Sequence, residues 1–378
     1  MSSLNAARKD IAPEVSPCGE KSQNHLSRPL PPVKGLVTPF ERMKILGMYS
    51  EAKRIREGKI PYPRMAIVYP TYVCNHNCQD CLYGEWNRSH HVIMDARRFP
   101  ELVDALVSLR IKAVEFSGGG EPTLHPNFTR LVCLLANEGL EMGLLTNGTM
   151  IRGETLEAVV NHFTYIRISI DGHTPELFDL IRRPSAAAGL ERVVENIRAL
   201  REARDRAGSP LTIGAKVLLS RLNYGALVEM VRFCREAGLD YVQFKPLRNS
   251  PHSLGPSEVE TANYILAGIK ANTPGIMVYG GATGSSYAGK CWLTPIHVVV
   301  DPLGDMYPCC YYQYRADRML LGNLFEHPVE KVWFGPRHME VLQGLRVEEC
   351  NLYDCRWHLY NQIMDEILDQ NRLHVNFI

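Results

Sequence analysis

Cys74, Cys78 and Cys81 stand within one run of eight residues, Cys74-Asn75-His76-Asn77-Cys78-Gln79-Asp80-Cys81. Thiolates are soft ligands that suit zinc, copper(I) or iron–sulfur clusters. A structural zinc site closes its tetrahedron with four ligands, and His76 or Asp80 can in principle complete one. Three thiolates on a four-iron cubane instead leave one iron open to a substrate or cofactor. The preceding residues Arg64 to Val73 (RMAIVYPTYV) are rich in β-branched and aromatic side chains and read as a strand. The cysteines therefore fall on the loop leaving its C-terminal end, which is the catalytic end of a parallel barrel.

A second set of thiols lies late in the chain, at Cys291, Cys309, Cys310, Cys350 and Cys355. HVVVD, a turn at Pro302 to Gly304 and a strand entering Tyr307 predict a hairpin that brings Cys291 near Cys309. Cys350 and Cys355 are expected at the start of the C-terminal helix (DCRWHLYNQIMDEILDQ). Four thiolates can fully ligate a second cluster, and zinc is the alternative occupant. Cys133 and Cys234 fall in the apolar stripes of helices and read as core, and Cys18 reads as an incidental exposed thiol.

The elements that must position these groups alternate. Helical ARRFPELVDALVSLR precedes the strand AVEFSGG, and NFTRLVCLLANEGL precedes EMGLLTNGT. A short helix at Glu154 to Asn161, the strand YIRISIDG, the helix GLERVVENIRALREARDRA, the strand LTIGAKVLLS, the helix YGALVEMVRFCREAGL and the strand YVQFKPL complete the run. Six such strands with intervening helices imply a parallel α/β sheet with crossover connections. Residues 1 to about 35 are rich in Ser, Pro and charge and read as a mobile extension. Residues Pro39 to Glu57 have helical spacing and lead into the first strand. A chain of 378 residues with 45% hydrophobic content can bury two domains' worth of core. The net charge of +1, with no basic stripe, argues against nucleic acid or an anionic membrane as partner. No apolar run is long enough to span a bilayer and no signal-peptide core is present, so a cytoplasmic protein is expected. Eleven cysteines in such a chain point to metal or redox chemistry.

The C-x3-C-x2-C run of Cys74, Cys78 and Cys81 resembles the signature of the radical S-adenosylmethionine (SAM) enzymes. Gly118-Gly119-Gly120-Glu121-Pro122 after the second strand is similar to that family's GGE motif, and Ser169 ends the fourth strand. The late cysteines, with Gly304 to Cys309 as a G-x4-C element, resemble the twitch/SPASM auxiliary-cluster domain. The resemblance implies a partial (β/α)6 TIM-like barrel over 61–275, a small α+β twitch domain over 276–378, and an N-terminal extension with lead-in helix over 1–60. It also implies SAM and two [4Fe–4S] clusters as cofactors. Cys74, Cys78 and Cys81 would hold the first, and Cys291, Cys309, Cys350 and Cys355 the second. SAM would be bound by Gly119, Gly120, Glu121, Ser169 and Arg182, with Arg183 as the alternative arginine. Asp80 departs from the family, which often has an aromatic residue there, near adenine.

Cys310 is left over by this assignment, at a place where sulfatase-maturing relatives keep a carboxylate that acts on substrate. A thiol can give a hydrogen atom to a carbon radical, so the resemblance implies hydrogen abstraction by a 5′-deoxyadenosyl radical followed by inversion through Cys310. The expected enzyme is thus an epimerase of a sugar or aminocyclitol, as in antibiotic biosynthesis. Trp292, Tyr311, Tyr312 and Tyr314 would suit such a substrate. A dehydrogenase oxidising a secondary alcohol through the auxiliary cluster is the first alternative, and a peptide-modifying enzyme the second. The sequence shows no obvious folded N-terminal module for a leader peptide, which weighs against the latter. A flavodoxin- or ferredoxin-type donor would supply electrons. A noncatalytic metal-binding scaffold is the reading from another class.

Overall fold

The computed structural model describes residues 42–352 and 355–368, so Cys18 and the extension lie outside the described residues. The described residues belong to one compact unit. Its strands are β1 (Met65–Val68), β2 (Ala113–Phe116), β3 (Glu141–Thr146), β4 (Phe163–Ser169), β5 (Thr212–Leu219), β6 (Tyr241–Pro246), β7 (Met277–Gly280), β8 (His297–Val300), β9 (Asp305–Tyr307) and β10 (Gly322–Asn323). They form one sheet in the order β10-β9-β8-β1-β2-β3-β4-β5-β6-β7. β1 to β7 pair in parallel, each with the next. Parallel neighbours need crossovers, and helices such as Phe99–Ser108, Phe128–Asn137 and Leu190–Ala207 supply them. Two edges, β10 and β7, remain, so the barrel is partial.

Three expectations need correction. The consecutive strand–helix run has seven strands, β1 to β7, not six, because β7 is a four-residue strand ending in Gly280 and carries little β signal. Its crossover helix, Pro256–Asn272, has a weak apolar stripe with three buried residues, Ala262, Leu266 and Ile269, and the sequence reading passed over it. The first strand ends at Val68 rather than Val73, with the rest of the run, including buried Tyr69 and Tyr72, forming loop.

The hairpin is where it was expected. Gly304 takes φ +87° at its turn, and the Asp301 carboxylate accepts the Leu303 and Asp305 amides at 2.9 Å each. What the sequence did not convey is its docking: β8 pairs in parallel with β1, Met65 opposite His297, so the hairpin continues the barrel sheet. This covers a strand edge that would otherwise expose unpaired amides. One apolar core runs from the barrel strands to Trp333 and Val341 in the C-terminal region. A second joins the lead-in residues Ile45, Ala52 and Ile55 to Trp292, Met364 and Leu368.

Candidate functional site

The strands read as apolar carry one or two polar interruptions that line the interior, as residues of a parallel sheet covered on its outer face must when they are polar. Glu115 on β2, Arg167 and Ser169 on β4, Lys216 on β5, and Gln243 and Lys245 on β6 all line a single cavity of about 750 Å³. The same cavity is lined by Cys74, Cys78, Cys81, Gly119, Gly120, Glu121, Arg182 and Cys310.

The cysteine loop is tied to the segment after the helix Pro175–Arg182. Thr174 caps that helix by accepting the Leu177 amide, and Arg183 ends it in the left-handed conformation. The Asn77 amide then donates to the Arg183 carbonyl at 3.0 Å and the Gln79 amide to the Ile181 carbonyl at 2.9 Å. This geometry separates the two arginines. Arg182 faces the cavity, its guanidinium 3.0 Å from the Asp171 carboxylate, and its Nε is buried without a partner among the described residues. Arg183 gives the loop only its carbonyl.

Gly119 and Gly120 are required by close approach rather than by backbone angle. A methyl group on Gly119 would lie 2.2 Å from the Tyr72 ring, and one on Gly120 would lie 2.2 Å from the Val73 carbonyl oxygen. Glu121 is 2% exposed. Its Oε1 accepts Thr123 N at 3.2 Å, Thr123 Oγ1 at 2.5 Å and Thr146 Oγ1 at 2.6 Å, while Oε2 accepts only Asn147 N at 2.6 Å. Burial raises its pKa against those hydrogen bonds. Glu121 therefore joins the loops after β2 and β3 and keeps acceptor capacity on Oε2 for a cationic ligand group. Burial, and then the Glu121 charge, push the Cys74 thiol up to about 12, and a cationic metal centre would reverse that preference. Asn147, Asn75 and Thr149 extend the network at 2.7 to 2.9 Å, and none of the three was singled out from sequence. Asp80 turns away from any stacking role and accepts Ser250 Oγ at 2.5 Å, with His252 Nδ1 at 3.1 Å.

The adjacent thiols Cys309 and Cys310 part company. Cys309 is buried, whereas Cys310 lines the cavity. A hydrogen bond with Cys310, then burial and the thiols of Cys310 and Cys355, push Cys309 up. Its partner is pulled down first by that bond and then by the Arg356 guanidinium, with burial and Glu115 opposing. Burial, then Cys291, Cys310 and Cys350, push Cys355 up. Cys291, Cys309, Cys310, Cys350 and Cys355 thus gather in one region. Cys350 does so from a 3-10 turn, Val347–Leu352, and Cys355 from just before the helix His358–Leu368, not from within it.

The donors around these sulfurs suit thiolates. Asn361 Nδ2 lies 3.6 Å from Cys291, the Tyr311 amide 3.5 Å from Cys309, and both Arg315 terminal nitrogens within 3.7 Å of Cys350. Among the described residues no three His, Cys, Asp or Glu side chains converge as one metal ion requires. A cubane spreads its thiolates over separate irons, and this looser gathering fits it.

Arg356, next to Cys355, reaches into the barrel and pairs with Glu115 at 2.7 Å. The Tyr165 hydroxyl donates to the other Glu115 oxygen at 2.5 Å. Of the aromatic set, only Tyr311 and Tyr314 line the cavity. Trp292 packs in the second core, and Tyr312 is fully buried, hydrogen-bonded to Tyr72, which donates to Asp301 at 2.7 Å.

Comparison with known proteins places two family models on the chain: the radical SAM superfamily over residues 68–234 and an iron–sulfur cluster-binding domain, SPASM, over 291–356. The mycofactocin maturase of Mycobacterium ulcerans is 27% identical over 275 residues, 70% of this chain and 72% of that protein. The dTDP-4-amino-4,6-dideoxy-D-glucose ammonia-lyase of Streptomyces venezuelae is 25% identical over 306 residues, 72% of this chain and 61% of that protein. In fold the chain is similar to Streptococcus suis SuiB bound to its precursor peptide SuiA, with a TM-score of 0.61 and 17% identity over 82% of this chain and 73% of that one. Among the described residues no helix is long and apolar enough to cross a membrane.

Proposed function

The chain is a radical SAM protein with a C-terminal iron–sulfur cluster-binding domain, and from that premise we propose that it inverts a carbon centre of a peptide substrate, with Cys310 as hydrogen-atom donor. Its cofactors are SAM and [4Fe–4S] clusters. Bound together, they supply a carbon radical able to remove a hydrogen atom from an unactivated C–H bond. Cys74, Cys78 and Cys81 would hold one cluster and leave an iron open, and Cys291, Cys309, Cys350 and Cys355 would hold the other. Oε2 of Glu121 would take the SAM ammonium and Arg182 Nε its carboxylate, a charge-assisted pairing. Gly119 and Gly120 let the loop after β2 lie against Tyr72 and Val73, and Ser169, at the end of β4, adds a hydroxyl to the cavity.

The observation that carries the reading is the parting of two adjacent thiols. Both thiols stand near Cys355, but Cys309 is buried off the cavity while Cys310 lines the cavity that also holds the cysteine loop. A thiol there can hand its hydrogen to a substrate carbon held in the same cavity, and inversion requires that it do so from the face opposite the one attacked. The peptide takes precedence over the sugar first expected because the mycofactocin maturase and SuiB, bound to its precursor peptide, are among the likenesses. A sugar remains the second reading, supported by the sugar ammonia-lyase and by Tyr311 and Tyr314 at the cavity wall.

The test is turnover in heavy water with panels of peptides and sugars. One solvent-derived deuterium on an inverted carbon is expected, and Cys310→Ala should cleave SAM without yielding inverted product. A ketone without deuterium, or full activity of the variant, would give the dehydrogenase reading its place.

A further inference from the structure

The cavity carries an uneven charge. Among the described residues lining it, the cations are Arg88, Arg167, Arg182, Lys216, Lys245, Arg248 and Arg356, against the carboxylates Asp80, Glu115, Glu121 and Asp171. Every one of those carboxylates has a protein partner. Glu115 holds Arg356 and Tyr165, Asp171 holds Arg182, Glu121 holds Thr123, Thr146 and Asn147, and Asp80 holds Ser250 and His252.

On β5 and just after β6, Lys216 and Arg248 have no carboxylate to answer them. The Lys216 ammonium makes no hydrogen bond or ion pair with any described residue, and its backbone carbonyl accepts the Ile170 amide. Burial, then the like charges of Lys245, Arg182 and Arg167, bring its ammonium down to about 8, with Asp171 alone opposing. Arg248 gives one hydrogen bond, to the Ser285 carbonyl at 3.0 Å, and meets no acid. The strand registers set them on one wall. Lys216 lies opposite Gln243 on β6, Lys245 opposite Leu218, and Arg248 follows β6 directly. That wall includes Ser169, opposite Lys216, and lies across the sheet from the glycine loop after β2.

A desolvated ammonium with no counter-charge is costly unless a ligand provides one. We infer that this β5–β6 wall, Lys216 and Arg248 with Lys245 between them, is an oxyanion subsite that binds a carboxylate or phosphate of the substrate. The inference deepens the proposed function and rests on this cavity being the substrate site. It selects substrates with an acidic group, such as a peptide carboxylate or a sugar phosphate ester. It argues against an aminocyclitol, whose ammonium groups the same wall would repel.

The test is calorimetric titration of the cluster-loaded, SAM-saturated enzyme with glutarate, pyrophosphate, glucose and 2-deoxystreptamine. SAM saturation keeps Arg182 engaged, so the titration reads the remaining cations. Glutarate or pyrophosphate should bind and the other two should not. The tighter of the two anions identifies carboxylate or phosphate as the natural group. Lys216→Met and Arg248→Met should each weaken the anion about tenfold, the loss of one charge-assisted contact. The second variant, at a residue outside the strands, answers the question if the first fails to fold.

The subsite is refuted if both anions bind no better than glucose, or if neither variant changes their affinity. It also falls if Lys216→Met weakens SAM tenfold and leaves both anions untouched, since the lysine would then serve the SAM carboxylate. Reductive SAM cleavage without substrate is measured in parallel. Its absence would sink the proposed reaction while leaving anion binding to stand or fall by its own readout.

Discussion

Replacing Arg356 with Met should be a strongly damaging single change in the barrel interior that touches no cysteine. The guanidinium sits 2.7 Å from Glu115, whose side chain is 6% exposed, and the arginine side chain is itself 25% exposed. Burial would raise the Glu115 pKa, yet Arg356, Tyr165 and Arg167 together carry it below the ordinary 4.5. Removing the arginine strands a desolvated carboxylate with the Tyr165 hydroxyl as its main remaining donor. Breaking a buried pair on one side costs about 3–5 kcal/mol, whereas removing both charges costs far less. Arg356→Met should therefore be less stable by about 3–5 kcal/mol, and Glu115→Leu with Arg356→Met should recover most of that loss.

The pH dependence has a definite sign. A carboxylate with a lowered folded pKa contributes stability that is present above its unfolded value, 4.5, and disappears as pH falls through the folded value. In Arg356→Met that contribution is gone, so the acid limb should shift to higher pH. Anaerobic urea unfolding of the cluster-loaded protein, followed by far-UV circular dichroism, measures both effects. A single-variant cost below about 1 kcal/mol, the level of an exposed ion pair, would refute the reasoning, as would a double variant no better than the sum.

Three further outcomes are expected. Changing Cys74, Cys78 and Cys81 to Ala should leave about four irons per chain, by iron analysis, and abolish SAM cleavage; retained cleavage would overturn the cluster assignment. Glu121→Ala should weaken SAM binding and also destabilise the fold, because it orphans the buried Thr123 and Thr146 hydroxyls and the Asn147 amide, at about 1–3 kcal/mol for each unsatisfied group; Glu121→Gln, melted alongside, should recover part of the stability, and an unchanged melting point in the Ala variant would count against this role. Lys216 is brought down to about 8 by burial and its cationic neighbours, so affinity for glutarate or pyrophosphate should fall as pH rises through that value, and Lys216→Met should lose this step in a titration series.

The cysteine loop, the glycine-rich turn and the alternation of strand with helix are local properties of the chain. Ligand spacing within eight residues and side-chain periodicity survive whatever the rest of the molecule does, so the sequence by itself determined the cofactor class and the parallel α/β sheet. A signal for the cavity wall was also present and passed over: Glu115, Lys216 and Lys245 each interrupt a strand that is otherwise apolar or nearly so.

Only the tertiary structure decided how remote pieces meet. β8 pairs with β1 across more than two hundred residues, and that docking sends Cys310 into the cavity, Cys309 away from it, and Arg356 onto Glu115. Tyr312 read as a candidate substrate contact and Tyr72 as part of the first strand, and the same docking seals them against Asp301. The physical reason is that two neighbouring thiols have the same local chemistry. Which one a cluster takes and which one a substrate meets depends on the face each presents, and that face is fixed by strand pairing whose partner lies far away in sequence.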